Sequence, residues 1–531
     1  MADGTDGHER VLKTGSKRRQ FLKLTGIGGM GALAGCLGDD PGNGDGRDGS
    51  DEADPEDSRV VIGVNTDRWD LLPALNTDFD ANLVYELVYD NLVDLNPDIG
   101  LEPQLAHDWV EESDTQIVFH LEEDVQFHNG EEFTAENVQF TWEWFFENDN
   151  PRQQYVDSIE DVVVEGDHTV RFDMGENPYA AFYYNGVNAV LWPMSIDAWE
   201  EHGRDYNSNP IGTGPYVFDE WQSGDFAVLS AFEDYWQDGY PNIEEIEFRV
   251  LPNETTKTDQ AETGEVDLVD FIPPARVDSV QEADGVSVEM MPGVESARVD
   301  FNFAVEPFDD RDVRRALAWA VDKETILEAT TDGTAEPAKS ILPPSLPHYA
   351  DDFEDFNHPN GDPDQAQSLL EEAGHGDLSL EILTSTTERH QQTSTLLQNQ
   401  WQSIGVDVEI QALDGETFFS EQLEGNYEVA VSEWSWFGDP ETLLMLHHPD
   451  ALNVWNMDDA ELNGMLEDQQ TEFDPDVRGD IIRDIQEYIY TEAVSIYTHY
   501  PMRIQTVSDR IDGFEQYPSA SFRSLTTADV Q

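Results

Sequence analysis

The chain has 531 residues, with 113 Asp and Glu against only 27 Lys and Arg, a formal net charge of −86. That balance excludes nucleic acid as a partner, because neutralising phosphate takes clustered Lys and Arg, and a single cysteine excludes a disulfide framework and thiolate metal sites. Aromatic residues at 11% mark a chain that buries a core rather than a disordered polyanion. Three of the six lysines (Lys13, Lys17 and Lys23) lie before residue 36, so the remaining surface is nearly lysine-free. Such a surface suits a very salty medium, where a Debye length of about 3 Å mutes repulsion between carboxylates. The charge therefore speaks of habitat more than of substrate.

In chain order, the first pattern is a basic cluster with paired Arg18 and Arg19, then a short apolar run from Phe21 to Leu33, then Leu33-Ala34-Gly35-Cys36. This is the anatomy of an export signal over residues 1–35, too short to span a bilayer. The paired arginines resemble a twin-arginine signal. Leu-Ala-Gly-Cys resembles a lipobox, whose cysteine is lipidated and becomes the mature N-terminus. The alternative, a buried free thiol, fits poorly because the flanks of Cys36 lack the apolar patterning of a core segment. Residues 36–58 are dominated by Asp, Glu and Gly and cannot bury enough apolar surface to fold; they read as a disordered acidic tether.

The body of about 470 residues exceeds one comfortable core. Arg59 to Asn65 is a strand candidate, and Ile117, Phe119 and Leu121 alternate as another. Thr134 caps a helix carrying Val138, Trp142 and Phe145 at helical spacing. Val313, Ala316, Leu317 and Ala320 form an apolar helix stripe, followed by a second helical stretch around Ile326. Asp362 as cap and Pro363 at the first position start a helix with Ala366, Leu369, Leu370 and Ala373 on its buried face, stopped by Gly374. A strand at Leu378 to Leu383, a helix from about Gln391 to Ile404 ending at Gly405, and a strand through Val406, Val408 and Ile410 make a βαβ unit with parallel strands.

Several segments are similar to the solute-binding proteins of the peptide, opine and nickel class of ABC importers, extracellular solute-binding family 5, here of haloarchaeal lipoprotein type. The resemblance runs from Glu102-Pro103-Gln104-Leu105-Ala106 through Trp109, Phe119-His120-Leu121, Val125-Gln126-Phe127-His128-Asn129-Gly130 and Phe133-Thr134-Ala135-Glu136-Asn137-Val138. It continues in Gly212-Thr213-Gly214-Pro215-Tyr216, Tyr235-Trp236, Gly264-Glu265-Val266-Asp267-Leu268, Phe308-Asp309-Asp310, Val313-Arg314-Arg315-Ala316-Leu317 and Ala320-Val321-Asp322-Lys323. It implies an α/β fold, a two-lobed clamshell of the periplasmic-binding-protein class II type with an extra third domain. On this chain, lobe I would be 59–89, 211–295 and 501–531, the extra domain 90–210, and lobe II 296–500.

The resemblance also places Glu433-Trp434-Ser435-Trp436-Phe437-Gly438-Asp439-Pro440 at the cleft, where a tryptophan flanks the ligand and an aspartate pairs with a peptide amine. Trp434 and Trp436 alternate onto one face, which suits stacking on a ligand and also suits strand core. Asp439 is either the amine partner or a turn residue before Pro440, with Glu433 as a substitute carboxylate. Arg389 lies near the family's position for a carboxylate-binding arginine, a role its fork suits; otherwise it pairs with local acids. His447-His448 and His499 could suggest nickel, but adjacent histidines point in different directions, so surface or capping roles are expected and no metal or cofactor is. Gly212-Thr213-Gly214 precedes a proline and reads as a tight turn, not a phosphate cradle.

The reading is a monomeric, lipid-anchored receptor outside the cytoplasmic membrane that captures a small organic solute, a di- or oligopeptide, and hands it to ABC permease subunits coupled to cytoplasmic ATPases. It performs no covalent chemistry. A saccharide receptor of the same fold is the alternative, followed by a nickel receptor or a secreted hydrolase built on paired carboxylates. Replacing the single cysteine tests the anchor: Cys36→Ser is expected to move the protein from the membrane fraction into the medium, read by immunoblot, with solute binding unchanged.

Overall fold

The computed structural model describes residues 58–531 apart from 66–70, 73–78, 114, 149–152, 176–178, 189, 355–359, 436–437, 442–445 and 450, and the side chains of 79–82 and 154. The export signal with Arg18 and Arg19, Cys36, the tether up to residue 57, and Trp436 lie outside the described residues.

The strand Arg59–Val64 buries Val60, Ile62 and Val64 and sits inside a seven-stranded mixed sheet. Its two neighbours, Glu245–Val250 and Leu268–Val269, both run parallel to it, joined by the helix Glu254–Thr263. Asn253 caps that helix, its Oδ1 accepting the Thr256 N–H at 2.9 Å, and Gly264 ends it in the left-handed region at φ 73°. Further strands come from 216–231, 286–292 and 502–508, so this sheet, the core of lobe I, is assembled from distant stretches of chain.

A four-stranded antiparallel sheet between residues 106 and 174 packs on it, with the hairpin Ala106–Ser113 and Gln116–Leu121 at one side. The helix Ala135–Glu147 starts at Thr134, whose N–H donates to Asn137 Oδ1 at 2.9 Å. One continuous hydrophobic core joins this sheet to lobe I, including Ile62, Leu87, Phe119, Phe172 and Phe248. Asp90, 1% exposed, pins the junction: it accepts Trp236 Nε1 at 2.9 Å and Gln104 Nε2 at 3.0 Å and pairs with Arg523. Gly212 and Gly214 run so close to the Val88 carbonyl that a Cβ at either would collide with it, the physical reason for glycine at both positions.

Lobe II is built on a six-stranded sheet ordered Glu336–Pro337, Ser495–Tyr500, Glu295–Phe301, Val429–Ser435, Ser379–Ser385 and Asp407–Leu413. The last two strands are parallel, Leu380 opposite Val408 and Ile382 opposite Ile410, as the βαβ pattern predicts. Asp362 caps the helix Pro363–Glu372 by accepting the Gln365 N–H at 3.0 Å, and Gly374 follows at φ 85°. The intervening helix, Glu388–Ser403, begins three residues before the expected Gln391, with Thr387 in the N-cap position. Arg389 thus stands in its first turn rather than ahead of it.

Two chain crossings connect the lobes, at 292–295 and 500–502, and they touch: the Gly293 N–H donates to Pro501 O at 3.0 Å. Trp401, fully buried, donates its Nε1–H to Leu317 O at 3.0 Å and ties the Glu388–Ser403 helix to the helix Arg311–Trp319. Trp401→Ala is expected to cost about 3–5 kcal/mol of stability, the range for deleting a buried large aromatic, measured by urea denaturation.

Candidate functional site

The crossings form the floor of a cleft between the lobes. Two adjoining cavities of about 320 Å³ and about 290 Å³ open there, sharing Glu254 and Phe271 from lobe I, Thr387 and Arg389 from lobe II, and Pro501 and Met502 from the floor. Arg389 enters both because the strand Ser379–Ser385 ends at the cleft and turns directly into the helix that carries it. Ser385 Oγ fixes that turn, accepting the Thr387 N–H at 3.2 Å and bonding His390 Nδ1 at 2.8 Å.

Glu433, on the strand Val429–Ser435, lines the second cavity and accepts from Arg389 Nη2 at 2.9 Å, with His390 Nε2 at 3.5 Å from its other oxygen. Burial works against its charge, but Arg389 and the neighbouring histidines outweigh burial and hold its carboxyl at about 2. The group is a carboxylate throughout the working range. Nearby, burial of the imidazole pushes His499 down to about 4, partly offset by Glu433, so this ring is neutral. Lobe I answers with fully buried Lys257, whose Nζ donates to Asp270 Oδ1 at 2.5 Å and Asn65 Oδ1 at 3.0 Å. The floor carries Glu295 and Arg503, paired at 2.6 Å.

The expected residues separate. Arg389 and Glu433 come together in the cleft. Trp434 points to the opposite face of its strand, where its ring lies 5.7 Å from Phe419 and 5.4 Å from the Arg298 guanidinium. Asp439 is 2% exposed and holds Arg478 through both oxygens, at 2.8 and 2.7 Å, while its Oδ1 also accepts the Glu441 N–H at 2.8 Å. Of the two readings of Asp439, the arrangement is that of the turn residue, because a ligand ammonium would have to displace a buried guanidinium. His447 is fully buried and stacks on Trp455 at 3.9 Å, which corrects its expected surface or capping role, while His448 is paired with Glu467 at 3.3 Å. Among the described residues no group of three His, Cys, Asp or Glu is placed to hold a metal ion.

Sequence reasoning missed Glu254, Phe271 and His390, none of which carries a local signal for a cleft. It also missed Glu441, which joins the four-stranded unit to lobe II: Asn185 Nδ2 donates to Glu441 Oε2 at 3.2 Å, beside a backbone bond from the Ala180 N–H to Gln470 O at 2.8 Å. Burial, reinforced by Asp439, pushes the Glu441 carboxyl up to about 8.

The family described as bacterial extracellular solute-binding proteins, family 5, middle region, matches residues 100–450. The chain belongs to that family. This family-5 protein is 25% identical over 489 residues to the glutathione-binding protein GsiB of Salmonella typhimurium, covering 89% of this chain and 94% of the relative. It is 24% identical over 485 residues to heme-binding protein A of Haemophilus influenzae, covering 84% and 88%. Among solved structures, the substrate-binding protein CtaP of Listeria monocytogenes superposes with a TM-score of 0.81 at 24% identity, covering 89% of this chain and 99% of CtaP. The oligopeptide-binding protein AppA of Bacillus subtilis, in complex with a nonapeptide, does so at 0.75 and 19%, covering 89% and 99%. These structures share the two-lobed fold, and the family to which the chain belongs is one of extracellular solute-binding proteins.

The depressed His499 sets a sign for acid stability. Between pH 6.5 and about 4 the unfolded chain takes up a proton that the folded imidazole refuses. Stability is therefore lost as pH falls through that window, by up to about 1.4 kcal/mol per pH unit. His499→Gln is expected to flatten this part of the profile, read from urea midpoints between pH 4 and 7.

Proposed function

We propose that this family-5 receptor captures di- or oligopeptides between its lobes and presents them, from a lipid anchor on the outer face of the membrane, to its permease. The observation that carries the reading is the Arg389–Glu433 pair, with Arg389 about two-fifths exposed in the cleft. A free peptide brings an ammonium and a carboxylate, and a guanidinium fork beside a carboxylate that stays ionised to about pH 2 offers a partner for each. Both halves of that pair belong to lobe II, while Glu254 and Phe271 face them from lobe I. A solute touching both sides favours the closed arrangement by the difference between its affinities for the closed and open forms, and the closed form is the one a permease recognises. The peptide in the Bacillus AppA complex and the glutathione named for the Salmonella relative are consistent with this class of solute.

Arg389→Gln separates a peptide carboxylate from other ligands. Removing a charge-assisted hydrogen bond costs about 1.5–3 kcal/mol, so binding of peptides with a free C-terminus is expected to weaken about 10- to 100-fold by calorimetry, while C-terminal amides change little. Heat with oligosaccharides and none with any peptide would sink the peptide reading.

A further inference from the structure

The two cavities of the cleft offer a ligand different chemistry, and Arg389 stands where they meet. The smaller, inner chamber holds the ion pairs: Glu433 with Arg389, Glu295 with Arg503, and Asp270 with Lys257 behind it. Glu433 lines the inner chamber and not the outer one. In the outer chamber, of about 320 Å³, Arg389 is the only Lys or Arg among the described lining residues. Its lobe I wall comes instead from Phe271, Pro273 and Pro274, continued by Met502 and Ile504 of the strand Met502–Ser508.

That wall has few hydrogen-bond donors to give. Pro273 and Pro274 carry no N–H, the Phe271 N–H donates to Asp270 Oδ1 at 2.9 Å, and the Ile272 N–H donates to Ile504 O at 3.0 Å. Asp270 Oδ1 also accepts Lys257 Nζ, so the buried lysine fixes the start of the wall. The lobe II side is the end of the helix Lys323–Thr331 and the turn after it. Its hydroxyl protons are committed: Thr330 Oγ1 donates to Ile326 O at 2.8 Å, Thr331 Oγ1 to Leu327 O at 2.8 Å and Thr334 Oγ1 to Thr331 O at 2.7 Å. Gln392 Nε2 donates to Glu388 Oε1 at 3.2 Å. An amide or carboxylate side chain placed here would give up water for walls poor in donors, whereas an apolar one gains by leaving water. The acids among the lining residues, Glu254, Asp332 and Glu388, are exposed and add repulsion against an acidic side chain.

The placement of the charges sets a direction as well. A peptide carboxylate on Arg389 sits at the junction of the chambers, and an amine drawn to Glu433 lies in the inner one, so the C-terminal side chain is the one that adjoins the outer chamber. We propose that the outer chamber receives the side chain of the ligand's C-terminal residue and selects an apolar one of the size of Leu, Met or Phe. This rests on the peptide reading above. Calorimetry with the series Ala-X and Ala-Ala-X is expected to show Leu at the C-terminal position bound about tenfold or more tightly than Gln, the gain from burying one such side chain. Moving the same exchange to the first position is expected to change affinity much less. Met502→Gln, which keeps the size of the wall residue and adds an amide, is expected to shrink the Leu-to-Gln ratio, and Met502→Leu to retain it. Equal binding of Leu- and Gln-ending peptides, or a ratio as large at the first position as at the last, would overturn the subsite and leave the peptide reading standing. A preference for C-terminal Lys over Leu would assign the chamber to its carboxylates and also overturn it. Binding of no peptide at all would sink the peptide reading and this subsite with it. The wild-type series does not depend on either variant folding.

Discussion

Everything in the cleft depends on two backbone segments running side by side. The crossings at 292–295 and 500–502 join the lobe sheets, and their contact leaves little room for side chains: Gly293 donates to Pro501 O at 3.0 Å while Ser345 Oγ donates to Gly293 O at 2.6 Å. A Cβ at Gly293 would displace the Glu295 carboxylate and crowd Pro501 O, so glycine is favoured there by close approach rather than by an unusual φ. A change at either lobe that alters their angle must pass through these few residues, because hinges absorb rotation in a small number of terminal positions. Glu295 and Arg503, one from each crossing and paired at 2.6 Å, brace the crossings as a ribbon.

That ribbon illustrates how so acidic a chain deploys its few cations. Lys257 meets Asp270 at the cleft wall, Arg478 meets Asp439 beside the contact with the four-stranded unit, and Arg523 meets Asp90 where that unit joins lobe I. Each cation in this set joins sequence-distant segments or braces a wall rather than decorating the surface. The distinction matters energetically. Exposed pairs contribute about 0–1 kcal/mol and are screened by salt, whereas removing one partner of a buried pair costs about 3–5 kcal/mol because the other charge is stranded. In concentrated brine the acidic surface is electrically quiet beyond a few ångströms, and the buried pairs become the electrostatics that still discriminate one arrangement from another.

The sequence disclosed local structure well and three-dimensional assembly poorly, for a physical reason. Asp362-Pro363 and the stripe through Ala366 and Leu370 specify their helix because caps and periodicity act within a few residues. The βαβ order was legible on the same grounds, since each element carries its own pattern. The start of the helix at Glu388 was not, because Thr387 caps it by backbone position without a side-chain bond, and the polar run before Gln391 hides its first turn. Asp439 admitted two readings until Arg478, 39 residues away, was seen to occupy it. The buried Arg298–Asp300 pair was invisible in the sequence: its environment is drawn from strands near 300, 430 and 497 and from Trp455. One clue was local, a charged pair at alternate positions inside an otherwise buried strand, Arg298 and Asp300.

Strand alternation then explains why the cleft and the cluster around Arg298 lie on opposite faces of one strand. Glu433 and Trp434 are consecutive, so the pleat sends one toward Arg389 and the other toward Arg298. A slip of one residue in this strand would exchange the faces of both and place a carboxylate against Trp455 and an indole in the ion pair. The register is held from both sides, by Glu295–Phe301 along seven pairs and by Ser379–Ser385 through Ile382, Leu383 and Thr384. Beyond Ser435 the same stretch of chain reaches Gly438, packed on Leu95 and Ile99, and Glu441, bonded to Asn185. A displacement of this strand on ligand engagement would therefore be felt in the ion pair at the cleft, in the donors around Arg298 and in the contact with the four-stranded unit.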